Sequence, residues 1–371
     1  MQNRSVLLGF FVTVLACTVS QPLGAPANSA GSGDSIPGNS YEIQQLAPGV
    51  YAAIRNVEAG TADGNTLFII NESDVIVVDT GMYPTGVRQM IAEIRKRTDK
   101  PVRYIINTHW HGDHTVGNQA YLEGFPGAEI VAHPATRELA ISSGSAEGFV
   151  PAFRAEIANV DKQLAGGKSS DGEPLTAERR KHLELAKSDF EFWIEDTKGT
   201  RLALPTITVA DSLVLRRGDR TIEIRYLGKG HTPGDLVVYL PKERIVATGD
   251  LVVYPVPFGG ATNLKDWSAT LRNLEKLEAT TIVPGHGEVQ HDWTYVDREI
   301  ALTASTWEQV ETAVHAGADL KATQKMVNGD ALSKAFGATS PKDRSNFDYT
   351  YLDSAVEAAF KELQPAVAIK N

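Results

Sequence analysis

Within NTHWHGDHTVGN, residues 107–118, the residues His109, His111, Asp113 and His114 fall in six positions. Imidazole and carboxylate suit zinc, and iron or manganese also accept them. Alternate residues of an extended stretch point the same way, so His109 and His111 can grip one cation. Gly112 lets the backbone turn, so that Asp113 and His114 face a neighbouring position. Three further residues stand in Gly-containing segments at the ends of apolar strands: His231 in GKGHTPGD, Asp250 in VATGDLVV and His286 in IVPGHGE. Taken singly, each fits an ordinary cap, turn or loop. Their shared position at strand ends points to one site, because open α/β sheets gather their sites there. His182, His291 and His315 lie in charged or helical segments and read as surface residues, and His133 reads as structural or as support for a site.

Short strands and helices must carry these residues. VYAAIRNV, NTLFIIN, DVIVVDTG, PVRYIINTH and EIVAHP read as strands, with NESD (71–74) as a hairpin turn. YPTGVRQMIAEIRKRT (83–98) places Val87, Met90, Ile91 and Ile94 on one helical face. Residues 135–198 change character: Phe149, Phe153, Ile157, Val160 and Leu164 recur at helical spacing, GGKSSDGEP breaks that helix, and a second one follows. This stretch reads as a helical insertion between strands. Strands resume from TITVADSLVLRRGDRTIEIRYLG, with Gly218-Asp219 as a turn, and a helix over 264–278 separates the last two. Strands mixed with helices, with chemistry at the strand ends, imply a layered α/β protein.

The chain has 371 residues, of which 42% are hydrophobic and 22% charged, enough for a sizeable core and too little charge for wholesale disorder. A formal net charge of −10 disfavours binding nucleic acid through its phosphates. Arg4 and the short apolar run SVLLGFFVTVLACTVS read as an export signal, too short for a comfortable membrane span, with cleavage expected after Ala27. Residues 28–40 then form a flexible linker. The alternative is lipoprotein processing at Cys17, within VLAC. Cys17 is the only cysteine, so the mature chain cleaved at Ala27 has neither a disulfide nor a thiolate ligand. The expected location is the periplasm or the exterior.

His109 to His114 stands as H-x-H-x-D-H, and with His231, Asp250 and His286 following in order the chain resembles the metallo-β-lactamase superfamily. The resemblance covers most of 41–292 and is weaker over the insertion and the tail from 293 to 371. It implies an αβ/βα four-layer sandwich of two mixed β-sheets flanked by helices, with a helical insertion and a helical C-terminal extension. It also implies two zinc ions: one held by His109, His111 and His231, the other by Asp113, His114 and His286, with Asp250 bridging. Asp79, in VVDTG, resembles a residue that supports such a site. The main β-lactamase subclass carries cysteine where Asp250 stands; aspartate there looks like glyoxalase II, tRNA-processing nucleases and several lactonases.

Two divalent metals about 3.5–4 Å apart share a hydroxide and polarise a carbonyl or phosphoryl oxygen. The expected reaction is therefore hydrolysis by direct attack, with Asp113 orienting the water and carrying a proton to the leaving group. No G-x-S-x-G elbow offers a serine nucleophile. Export disfavours a glutathione thioester, and export with acidity disfavours tRNA. A small-molecule acyl bond remains: a β-lactam, a lactone or another ester. The Tyr-, Pro- and Phe-containing segment 252–263 is a candidate pocket wall, and the insertion a candidate lid. Rival readings are a mononuclear iron oxidoreductase resembling persulfide dioxygenases, and a non-catalytic metal- or partner-binding protein.

Overall fold

The computed structural model describes residues 41–55, 63–144, 146–169, 172–260 and 262–364. The expected signal peptide, the Ala27 cleavage point, Cys17 and the 28–40 linker lie outside the described residues. Among the described residues, no helix is long and apolar enough to cross a membrane.

The first sheet has seven strands in spatial order: β1 (Tyr41–Ala47), β2 (Val50–Arg55), β3 (Thr66–Ile70), β4 (Val75–Val78), β5 (Val102–Ile106), β6 (Glu129–Ala132) and β7 (Ile207–Thr208). β1 to β4 form an antiparallel meander, and β4 to β7 run parallel. The NESD turn closes β3 onto β4, with Asn71 N–H donating to Asp74 O at 2.8 Å. The 83–98 helix is observed as α1 (Pro84–Arg97), a crossover between β4 and β5. Pro84 opens it with a preset φ, and Arg95, Lys96 and Arg97 close it where the helix dipole favours cations. Two short helices, α2 (Gly112–Thr115) and α3 (Asn118–Gly124), join β5 to β6. Between β6 and β7 run α4 (Pro134–Ser143), α5 (Val150–Gly166) and α6 (Ala177–Asp196).

The second sheet holds β8 (Ser212–Arg217), β9 (Arg220–Tyr226), β10 (Leu236–Leu240), β11 (Ile245–Val253) and β12 (Thr281–His286), with β12 and β8 at its edges. β11 and β12 are parallel and joined by α7 (Leu264–Glu275). Then come α8 (Thr294–His315), α9 (Leu320–Met326), α10 (Gly329–Phe336), α11 (Pro341–Phe347) and α12 (Asp353–Leu363), the last two joined by a π-helical turn over Asp348–Leu352.

Side-chain alternation along the strands decides the layering. In β3 and β4, Leu67, Ile69, Ile76 and Val78 face the other sheet, where Ile222, Ile224, Leu236, Val238 and Ile245 meet them. Phe68, Val75 and Val77, one residue out of phase, face outward onto Val87, Met90, Ile91 and Ile94 of α1. On the second sheet's outer side, Val237, Val246 and Ile282 are covered by Trp267, Leu271 and Leu274 of α7 and by helices from the C-terminal stretch. Helix, sheet, sheet and helix layers thus form the expected four-layer sandwich. The C-terminal helices belong to its outer layer. A further cluster, built on Phe153, Val160, Leu183, Phe190 and Trp193, draws α5 and α6 together over Met82 and Tyr83.

Two local expectations need correction. Asp250 does not follow its strand but lies inside β11. Gly249, at φ 51°, adopts the left-handed backbone that glycine tolerates, and the pairing with β12 slips on either side of it. The strand therefore runs through Asp250 to Val253, the extent of the apolar stretch RIVATGDLVV. Gly112, in turn, makes no unusual bend: His111, in extended backbone, directly precedes α2, and the helix itself swings Asp113 and His114 away.

Candidate metal centre

β5 runs into Asn107 and Thr108, and the next residues deliver His109 and His111 to the edge between the sheets. α2 presents Asp113 and His114, the β9–β10 turn presents His231, and β11 and β12 present Asp250 and His286. All seven predicted residues converge. They form two groups whose ligand atoms lie within 4.8 Å of one another: His109, His111, His231 and Asp250 in the first, and Asp113, His114, Asp250 and His286 in the second. His133, His182, His291 and His315 belong to neither. His133 caps α4 by accepting from Ala135 N–H at 3.1 Å, and its ring stacks on Tyr226.

In the first group, His111 Nδ1 lies 3.0 Å from both His109 Nε2 and His231 Nε2. Asp250 Oδ2 lies 3.4 Å from His231 Nε2 and 3.8 Å from His109 Nε2. Its other oxygen, Oδ1, turns to the second group, 3.2 Å from His114 Nε2 and 3.4 Å from His286 Nε2. Asp113 Oδ2 completes that group, 3.0 Å from His286 Nε2 and 3.2 Å from His114 Nε2. One carboxylate is thus divided between two ligand groups. Backbone approaches it closely enough that a Cβ at Gly285 would collide with Asp250 Oδ1.

Outer partners set which nitrogen faces inward. Asp79 Oδ2 accepts from the Thr108 hydroxyl at 2.7 Å and from His114 Nδ1 at 2.8 Å. Because Thr108 gives its proton to Asp79, its oxygen accepts from His109 Nδ1 at 3.0 Å. Both imidazoles therefore keep an Nδ1–H turned outward and direct Nε2 into the centre, the nitrogen that a bound cation would take. Asp79 Oδ1 also accepts from Thr108 N–H at 2.8 Å. Asp79 itself sits at φ 58°, a conformation Asp and Asn reach more readily than other side chains. Asn107, Asn118 and Thr80 tie the carbonyl of His114 in place.

Electrostatics divides the two groups. Burial presses His111 down to about 3 and His231 down to about 4, and burial with the charge of His114 lowers His109. These three are neutral near pH 7, the state in which imidazole ligates. In the second group burial is outweighed by Asp113 and Asp250, which raise His114 and hold His286 at about 10. Burial would raise Asp113 and Asp250, but the neighbouring histidines hold both well below the usual carboxylate range. The ion-free protein thus keeps protons on His114 and His286 to balance two buried carboxylates, and bound cations would replace them. Several lone pairs and two carboxylates crowded around two points fit a pair of divalent cations. Asp113 and His286 are the most accessible ligands, their side chains 17% and 12% exposed, so the centre opens on their side. Phe258, from the candidate wall segment, stands 6.1 Å from the His231 ring, and Trp110 packs edge-on against His111.

Sequence reasoning missed Asp235. It accepts from Thr232 N–H at 2.8 Å and from the Thr232 hydroxyl at 2.6 Å, locking the turn that carries His231. The signal was the T-x-x-D spacing inside GKGHTPGD. It also missed Arg55 and Asp63, a buried ion pair beside the second group.

A family model for the metallo-beta-lactamase superfamily matches residues 59–286. The chain belongs to that superfamily and carries its metal-binding His/Asp cluster. Among curated relatives, the linear primary-alkylsulfatase of Pseudomonas sp. (strain ATCC 19151) is 27% identical over 240 residues, covering 62% of this chain and 42% of that protein. The 2,4-dinitroanisole O-demethylase subunit alpha of Nocardioides sp. (strain JS1661) is 25% identical over 313 residues, covering 82% of this chain and 76% of that one. The chain therefore spans less than half of the alkylsulfatase. Among solved structures, the stereoselective inverting sec-alkylsulfatase of Pseudomonas sp. superposes with a TM-score of 0.61 at 14% identity, over 87% of this chain and 50% of that one, a likeness of fold.

Proposed function

We propose that this protein is an exported hydrolase holding two zinc ions and cleaving an acyl or ester bond in a small molecule. The observation that carries the reading is the division of Asp250 between the two groups, Oδ2 toward His231 and Oδ1 toward His114. When bound, two divalent ions would make a shared water acidic near neutral pH and polarise the oxygen of the bond to be cleaved. The chain supplies the rest. The neutral imidazoles of His109, His111 and His231 and the bond from His114 Nδ1–H to Asp79 hold the ligand geometry before any ion arrives. Asp113, at the open side, orients the attacking water and moves its proton to the leaving group.

Acyl substrates such as β-lactams, lactones and other esters are the first class. Sulfate esters form a second, favoured by the likeness to the linear primary-alkylsulfatase and to the sec-alkylsulfatase. The test is metal quantification of the purified protein, coupled to a panel of β-lactams, lactones, thioesters, phosphodiesters and alkyl sulfates. Two zinc ions and turnover of one acyl or ester class are expected. A single iron with oxygen uptake would instead establish the oxidoreductase reading. Asp113→Ala is expected to abolish hydrolysis while leaving the fold intact, as circular dichroism would show; undiminished turnover would refute its role.

A further inference from the structure

The segment 79–85, from the end of β4 into the first turn of α1, is gripped from three directions. On its inner side, Thr80 N–H and Oγ1 donate to the carbonyl of His114 at 3.0 and 3.1 Å, and Gly117 N–H donates to Gly81 O at 2.9 Å. On its outer side, α6 reaches over: Trp193 Nε1 donates to Met82 O at 3.2 Å, and Asp196 accepts from Thr85 N–H at 2.9 Å and from the Thr85 hydroxyl. From the third side, Asp63 Oδ1 accepts from Met82 N–H at 2.7 Å, while its Oδ2 accepts from Tyr41 OH at 3.0 Å and meets Arg55 at 3.5 Å. Met82 thus has both its backbone polar groups committed, one to Asp63 and one to the helical segment.

Asp63 also leads directly to the ligands. The next residue, Gly64, donates its N–H to the carbonyl of Asp113 at 3.3 Å, and a Cβ there would press on the His114 ring at 2.7 Å. Arg55, whose side chain is 1% exposed, makes no guanidinium hydrogen bond among the described residues. It rests on Asp63 and on the rings of Tyr41 and Tyr83, at 4.9 and 5.5 Å. Burying a charged pair with so few partners is costly, and an apolar pair would fill the space more cheaply. What the pair does provide is a fixed carboxylate facing Met82 one residue away from Gly64.

We propose that Asp63 and Trp193 are positioning residues for the second ligand group. Acting through Met82, Thr80 and Gly64, they hold the backbone of Asp113 and His114 in ligating pose. The helical segment between β6 and β7 is then a fixed brace for one ligand group and not a lid. The braces end on Asp113 and His114, whereas His231 comes from the distant β9–β10 turn, so their loss falls on one group.

The inference rests on both groups holding cations, and two measurements on the full chain separate it from that reading. The variants are Asp63→Asn, which keeps the size, and Trp193→Phe, which keeps an aromatic ring in the cluster and deletes the donor. Leu185→Ser, at a position 41% exposed on the same helix, is the control. In cobalt titrations followed by visible absorbance, both variants should bind the first ion as the wild type does and the second about tenfold more weakly or worse. Equal loss at both groups, or two wild-type affinities, overturns the proposal. In the ion-free protein, amide exchange over 113–117 should be at least about tenfold faster in the variants, the range a lost hydrogen bond implies. Unchanged exchange overturns the brace whatever the ion count. A wild type that takes up only one ion sinks the two-ion reading instead, and the exchange result then decides the brace alone.

Discussion

Replacing Asp79 by Asn tests how the centre is prepared for its ions. Asn tolerates the φ of 58°, so the backbone should hold. The carboxylate serves three donors: Thr108 N–H, the Thr108 hydroxyl and His114 Nδ1. An amide has one accepting oxygen. If that oxygen stays opposite Thr108 N–H, the NH2 faces His114 Nδ1 and the Thr108 hydroxyl. His114 then gains a bond only by accepting at Nδ1, which moves its proton to Nε2 and into the second group. Thr108, no longer donating to position 79, turns its hydroxyl proton toward His109 Nδ1, and the same tautomer switch reaches the first group. Outer partners of metal-bound histidines are typically worth 10–100-fold in affinity, or about 1.4–2.7 kcal/mol per ion. Asp79→Asn should therefore weaken both ions by that factor, read by competition of zinc and cobalt against a chromophoric chelator near neutral pH. Two wild-type affinities would refute the tautomer argument. Weakening confined to the second ion would refute the path through Thr108 while sparing the direct bond to His114. The ion-free variant should also lose about 1–3 kcal/mol of stability, because buried donors lose a charged acceptor.

Other consequences are separable. Asp250→Ala removes the one ligand common to both groups, so zinc uptake should fall below one ion per chain after dialysis; two retained ions would show that the groups are independent. Asp189, buried in the helical segment with Oδ2 unpartnered among the described residues, has its carboxyl pushed by burial to about 7, with Arg55 pulling the other way. A raised acid keeps its proton in the folded state while the unfolded chain loses its own. Stability is therefore lost as pH rises from about 4 to about 7, and the penalty is constant above that. Asp189→Asn should raise stability by on the order of 1–4 kcal/mol at pH 8 and change it little near pH 4, as thermal melts at the two pH values would reveal. Chelator should lower the melting temperature of the wild type and leave that of Asp250→Ala nearly unmoved, since only an ion bound to the folded state stabilises it; equal shifts would speak against a site centred on Asp250.

Much of this was legible because it is local. His109 to His114 are close in the chain, and ligand type with spacing sufficed to group them. α1 was visible from Val87, Met90, Ile91 and Ile94, which share one face by helical periodicity alone. Asp250 was found by its neighbours, yet its place inside the strand and not just past it was not legible, since the left-handed backbone at Gly249 depends on pairing with β12. Arg55 and Asp63 gave no signal at all. A charged residue at the end of a strand reads as surface, and only packing under Tyr41, Tyr83 and Met82 buries it.

The sequence by itself determined the ligand chemistry and the layered fold, because residue type and short-range periodicity are properties of the chain. The tertiary structure decided how the ligands are shared and held. Asp250 bridges two groups because β11 lies between the β9–β10 turn and β12, Asp79 sets two tautomers because β4 lies beside β5, and Trp193 reaches Met82 because α6 folds back over the β4–α1 turn. Each of these contacts joins residues far apart in sequence, and their geometry exists only once both sheets and the helices over them have packed.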